Sequence, residues 1–214
     1  MGDDGALPET IILAGNILYG KTASGTVFKV NIDGSGFTNI CSIAGVGDGG
    51  EPHGGLILSS NKLYGTTGSG GTMGSGTVFK LNVDGSDFTN LYNFTGIYYP
   101  SYRNNDGGDP VALILSDNVL YGAANVGGTN GCGTVFKINT DGSGFVTLHN
   151  FNGSDGYNPN AGLILSGNTL YGQHLEETAF LVMERCLRSI LMEAILPTFI
   201  ISLAGAMGLI QWQV

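Results

Sequence analysis

The chain has 214 residues, room for one medium domain with a sizeable core. Its 37 glycines and 12% charged residues, against usual shares of ~7% and ~25%, disfavour a helical bundle or coiled coil, while 42% hydrophobic residues exclude wholesale disorder. A net charge of -9 with only eight Lys and Arg excludes a nucleic-acid binder, which needs a basic face.

In chain order, the opening Met1-Gly2-Asp3-Asp4-Gly5 lacks the basic and apolar regions of a signal peptide, so none is expected in these residues. The block Ile11-Ile12-Leu13-Ala14-Gly15-Asn16-Ile17-Leu18-Tyr19-Gly20 follows, and it returns at 56–65, 113–122 and 163–172. A second block, Gly-Thr-Val-Phe-Lys, starts at Gly25, Gly76 and Gly133. Each copy leads to Asp-Gly-Ser at Asp33, Asp84 and Asp141, spacings of 51 and 57 residues, and then to Phe37, Phe88 or Phe145. Such a period is that of propeller blades or solenoid units.

Within the second repeat, Leu56 to Ser59 is a short apolar run closed by a turn. Lys62 to Thr67 and Thr77 to Val83 alternate apolar with polar residues, and Phe88 to Phe94 is a fourth strand candidate. Asp84-Gly85 is a hairpin signal. Four strands per repeat, joined by glycine-rich turns, predict an all-β chain: a partial β-propeller of about three four-stranded antiparallel blades. The expected repeats run over 6–52, 53–110 and 111–160, with a fourth beginning at 161–172 and an aberrant tail over 173–214.

These residues resemble a known family. Leu-Tyr-Gly-Thr-Thr, a glycine-rich loop, Gly-Thr-Val-Phe-Lys, Asn-x-Asp-Gly-Ser and Phe-Thr-Asn-Leu-Tyr-Asn-Phe are similar to the Gloeo/Verruco ("GloVer") repeat over roughly residues 8–172. The resemblance implies a propeller fold and a secreted or surface-anchored bacterial protein. It brings no catalytic residues. The first repeat departs from the pattern by its short loop between Gly20 and Gly25.

After Gly172 the composition breaks. Residues 173–214 hold two glycines, four Glu and no Tyr, Asp or Asn. One permitted codon string for Glu184 to Glu193 is GAA CGG TGT TTA AGA TCA ATA CTG ATG GAA. Read from its third base, it gives Thr-Val-Phe-Lys-Ile-Asn-Thr-Asp-Gly, the second repeat block. The same shift across the tail restores the spacing of repeats two and three and ends in Asn-Pro-Val-Ala-Gly, close to Asp109-Pro110-Val111-Ala112. The tail therefore reads as a repeat out of frame. Helix formers between Leu181 and Ile195 give it a helical bias. Ala194 to Ile210 is 17 residues without a charge, the lower edge for a membrane span. Shifted codons account for that stretch, so no membrane anchor is expected.

Candidate chemistry is sparse. Cys41, Cys132 and Cys186 form no CxxC or His/Cys cluster, which leaves no zinc site. Asp33, Asp84 and Asp141 read as turn residues rather than calcium ligands. In Asn104-Asn105-Asp106-Gly107-Gly108-Asp109, Asp106 and Asp109 are the better calcium candidates, although the EF-hand spacing is missing. No Lys-Ser/Thr follows the glycine-rich loops, so a P-loop is rejected. His53, His149 and His174 occupy unrelated repeat positions. The tyrosine of Leu-Tyr-Gly reads as core or as a half-buried blade face rather than as a sugar-stacking surface. The aromatic insertion 97–103 is the place to look for a ligand, with Tyr98, Tyr99 and Tyr102 as binding candidates.

The expected function is a non-enzymatic extracellular repeat module for surface display, adhesion or contact with a glycan or protein, as a fragment of a longer protein. The alternative is a polysaccharide lyase or hydrolase with its site on the propeller face. No cofactor is required by either reading. Open blade edges such as Leu163-Ile164-Leu165 are expected to favour self-association.

Overall fold

The computed structural model describes residues 8–43, 47–98, 100–173 and 210–213. They form strands and turns, with no helix among them. The first sheet holds β1 (Pro8–Ala14), β2 (Ile17–Thr22), β3 (Thr26–Asn31) and β4 (Thr38–Ser42). The second holds β5 (Gly50–Ser59), β6 (Lys62–Ser69), β7 (Thr77–Asn82) and β8 (Thr89–Asn93). The third holds β9 (Gly108–Ser116), β10 (Val119–Val126), β11 (Thr134–Asn139) and β12 (Val146–Asn150). A fourth, three-stranded sheet holds β13 (Ile164–Ser166), β14 (Thr169–Gly172) and β15 (Ile210–Gln213). Every pairing is antiparallel between neighbours in sheet order. The molecule is a partial β-propeller whose blades follow the sequence repeats.

Local chemistry builds each blade. The hairpin turn recurs because the Asp carboxylate caps it: Oδ1 of Asp33, Asp84 and Asp141 accepts the backbone N–H and the hydroxyl of the serine two residues on. The same hydrogen bonds hold all three exposed carboxyls below their ordinary pKa. The intervening Gly34, Gly85 and Gly142 sit at φ 83°, 89° and 92°, where a side chain would be strained. The expectation of turn residues at these positions matches the structure.

The two sequence blocks meet in the blade centre. Gly20, Gly65 and Gly122 pair directly with Phe28, Phe79 and Phe136 on the adjacent strand. The phenyl ring lies over the glycine backbone, so a Cβ there would stand only 2.4 to 2.5 Å from the ring Cζ. Leu-Tyr-Gly and Gly-Thr-Val-Phe-Lys are thus two halves of one packing unit. Tyr19 and Tyr64 are buried, whereas Tyr121 and Tyr171 are half-buried.

The core lies between consecutive blades as three apolar clusters. Tyr19, Val27 and Ile43 of the first blade pack on Leu56, Leu63 and Phe79 of the second. Tyr64, Val78 and Phe94 pack on Leu113, Leu120 and Phe136. Val135 and Phe151 pack on Leu163 and Leu170. The first strands β1, β5 and β9 pack in succession. A backbone clasp also repeats between blades: Asp109 N–H donates to Ser75 O, and Asn158 N–H donates to Cys132 O, both at 2.9 Å.

Among the described residues no helix is long and apolar enough to cross a membrane. The helical bias over 181–195 lies outside the described residues, as does the uncharged stretch apart from Ile210, which opens β15.

Candidate functional site

The second and third blades are joined by the longest connection between described sheets, residues 94–107. Two polar side chains fix its base. Asn104 accepts the N–H of Gly107 and of Gly128 and donates to the carbonyls of Thr95 and Gly107. Asp106 is 4% exposed. Its carboxylate accepts Tyr92 Oη–H at 2.7 Å, Thr95 N–H at 2.9 Å and the Thr95 hydroxyl. Burial first, and then the hydrogen bond to Asp106, pushes the Tyr92 hydroxyl far above its ordinary pKa. Tyr92 stacks on Phe145 with centroids 3.7 Å apart, which ties the anchor to the third blade.

Above this base the loop turns back on itself. Tyr102 N–H donates to Tyr98 O at 2.8 Å, and Tyr102 takes a φ of 55°. The turn overhangs a cleft of about 610 Å³ whose walls include Met73, Ile97, Tyr98, Tyr102, Asp109 and Val126. Tyr98 is 66% exposed and Met73 54% exposed. A mostly apolar cleft with a few polar groups is the usual form of a small-ligand site.

The structure gathers Tyr98, Tyr102 and Asp109 at this cleft and directs Asp106 to the loop anchor. Tyr99 lies outside the described residues. The two calcium candidates have different partners: Asp106 has those above, whereas Asp109 Oδ2 accepts from Asn125 at 3.0 Å and Oδ1 lies 2.7 Å from His53 Nδ1. Among the described residues, no three His, Cys, Asp or Glu side chains are grouped to hold a metal ion.

His53 was not a site candidate from its repeat position. A bulge in β5 brings it there. The register opposite β6 slips between His53 and Ile57, and Gly54, at φ 62°, lets β5 approach the backbone of Ala112 in β9. Gly68 borders the His53–Asp109 pair closely enough that a Cβ would strike both side chains. The register also shifts in β9 between Pro110 and Leu113, and one extra residue between Pro52 and Leu56 enlarges the bulge in β5.

A second charged contact joins blades one and two. Lys21, 1% exposed, donates to Glu9 Oε2 and to the carbonyl of Pro52, next to His53.

The hydrogen bond to Asp109 raises the His53 pKa above its ordinary value, against the opposing effect of burial. A raised folded-state value means that the pair's stabilisation is fully present below about pH 6.5 and is lost as pH rises through the folded value. His53→Gln is therefore expected to lower stability in mild acid and to converge on wild type in mild alkali. Urea unfolding across this range checks it, and a pH-independent difference between the two proteins overturns it.

The profile of the Gloeobacter/Verrucomicrobia repeat matches residues 2–180. A search of curated proteins finds no match. Among solved structures, the crystal structure of the computationally designed Ika4 protein is similar at TM-score 0.53 and 16% identity, covering 83% of this chain and 96% of that one. The computationally designed Ika8 protein aligns at TM-score 0.49 and 17% identity, over 78% of this chain, which spans 45% of that one. At such identities the likeness to Ika4 concerns the fold alone. With the profile matched over most of the chain, on the same blocks that build the blades, the chain belongs to the Gloeobacter/Verrucomicrobia repeat family.

Proposed function

We propose that the chain is a non-enzymatic, extracellular contact module that binds a glycan or a protein segment at the cleft between its second and third blades. One observation carries the reading: Tyr98 and Tyr102 line one cleft together with Asp109. Tyrosine faces suit apolar sugar or peptide surfaces, and a carboxylate accepts from hydroxyl or amide donors. The family resemblance supports a bacterial, secreted or surface setting.

A glycan and peptide array probed with the 214-residue chain tests this. Tyr98→Ala with Tyr102→Ala is expected to weaken any hit about 10-fold or more, two aromatic contacts being worth ~0.5–1.5 kcal/mol each. Unchanged binding by the double variant removes the cleft from the reading. The polysaccharide-acting alternative rests on the His53–Asp109 pair beside the cleft, since a His–carboxylate pair can move a proton. Turnover of any polysaccharide by the wild-type chain would establish it instead.

The out-of-frame reading of residues 173–214 belongs with this proposal. In blades two and three, Leu63 pairs with Leu81 and Leu120 with Ile138. The restored frame puts an isoleucine at the corresponding place opposite Leu170, where the present chain pairs Trp212. Sequencing the DNA around codon 172 tests it.

A further inference from the structure

Large apolar side chains left exposed are concentrated at the two ends of the blade series. At each internal junction, the following blade presents the same positions to the blade before it. Leu56 and Leu58 of β5 pack on the first blade, and Leu113 and Leu115 of β9 pack on the second. Leu163 and Leu165 pack on the third. Leu56, Leu113 and Leu163 are 4%, 6% and 5% exposed. Their counterpart on β1 is Ile11, which is 56% exposed, with Leu13 at 63%. Val83 and Phe88, beside Leu56 in the same junction, correspond to Ile32 and Phe37, at 58% and 45%.

The far end shows the reciprocal feature. Ile12, Ile57 and Ile114 are the residues that each earlier blade presents to the blade after it. Their counterpart on β13 is Ile164, which is 64% exposed. The first blade thus exposes a "following" face, and the last sheet exposes a "preceding" face. These are the two halves of a junction that the molecule forms three times internally.

We infer that a second copy of this chain supplies the missing partner at each end, with the Ile164 face of one copy docking on the Ile11, Leu13, Ile32 and Phe37 face of the other. This docking continues an interface already present: the occupant whose apolar character fits the first face is the sheet that follows β12, whose Ile164 face the described residues of each chain leave exposed. Contact of this kind is heterologous, head to tail, and closes when the rotation per blade allows. Two copies together carry eight four-stranded or three-stranded sheets, within the ~4–8 blades of closed rings. Closure covers both apolar faces, which the described residues of one copy do not do alone.

The test is the mass of the 214-residue chain in solution by size-exclusion chromatography with light scattering. Wild type is expected at twice the 22.2 kDa of one chain. Ile11→Glu with Leu13→Glu blocks one face, and Ile164→Glu blocks the other. Each variant alone is expected at the single-chain mass, and a mixture of the two is expected to recover the double mass through the one junction still intact. Because all three side chains are exposed, far-UV circular dichroism should be unchanged. Phe37→Ser serves as a second blocking variant should the glutamates disturb β1. A monomeric wild type overturns the inference. So does a dimer that survives Ile164→Glu, which would mean that two first blades pair with each other, or a mixture that stays monomeric.

Discussion

Phe136→Ala is expected to lower the unfolding free energy by about 3–5 kcal/mol, the range for truncating a fully buried phenylalanine. Phe136 is 0% exposed. It meets Phe94 edge-on at 5.2 Å and Phe145 in a stack at 5.5 Å, so one ring joins the second blade to the third. Its removal also uncovers Gly122, whose backbone the ring covers. Phe28 occupies the same repeat position in the first blade, but its stacking partner Phe37 is 45% exposed and no described residue packs on that face as a preceding blade would. With the first-blade face left open by Ile164→Glu, Phe28→Ala should therefore cost clearly less than Phe136→Ala in the same background. Urea unfolding of both variants checks the pair. Equal losses would show that the position acts within its own blade, and that packing between blades does not set the cost.

Asp106→Ala is expected to cost about 3 kcal/mol or more, because hydrogen bonds to a charged group are worth ~1.5–3 kcal/mol and a buried donor left unpaired adds its desolvation. Three donors lose their acceptor at once: Tyr92 Oη, Thr95 N and Thr95 Oγ1. The loop base should loosen, so limited proteolysis within 97–103 should quicken. Tyr92 should also titrate lower than in wild type. Burial would still raise its pKa, but the hydrogen bond and the negative charge of Asp106 would be gone. Ultraviolet titration of the tyrosines reads this directly. A variant within ~0.5 kcal/mol of wild type, the usual range for surface substitutions, would show that Asp106 does not anchor the loop.

Much of the fold could be read along the chain because it depends on neighbours in sequence. Lys62 to Thr67 and Thr77 to Val83 alternate with the period of a strand, and Asp84-Gly85-Ser86 carries its own turn chemistry; the structure has β6, β7 and the turn from β7 to β8 there. Less of the site could be read that way. Asp106 and Asp109 stand three residues apart with identical side chains, yet one anchors a loop through Tyr92 and Thr95 and the other faces a cleft with His53. Their partners lie as far as 56 residues away, and no local pattern pairs them. The larger bulge of β5, compared with that of β9, shows in the sequence only as one extra residue, whose effect on side-chain direction requires the neighbouring strand in place.

The repeat, the four strands of a blade, their turns and the family are all legible along the chain, since each rests on hydrophobic period and turn residues that act within a few positions. Which copies of equivalent residues are covered depends instead on how the blades stack. Ile11 and Leu113 stand at the same place in their repeats, and they differ in exposure because burial is a property of the neighbouring blade: β9 has one before it and β1 has none among the described residues.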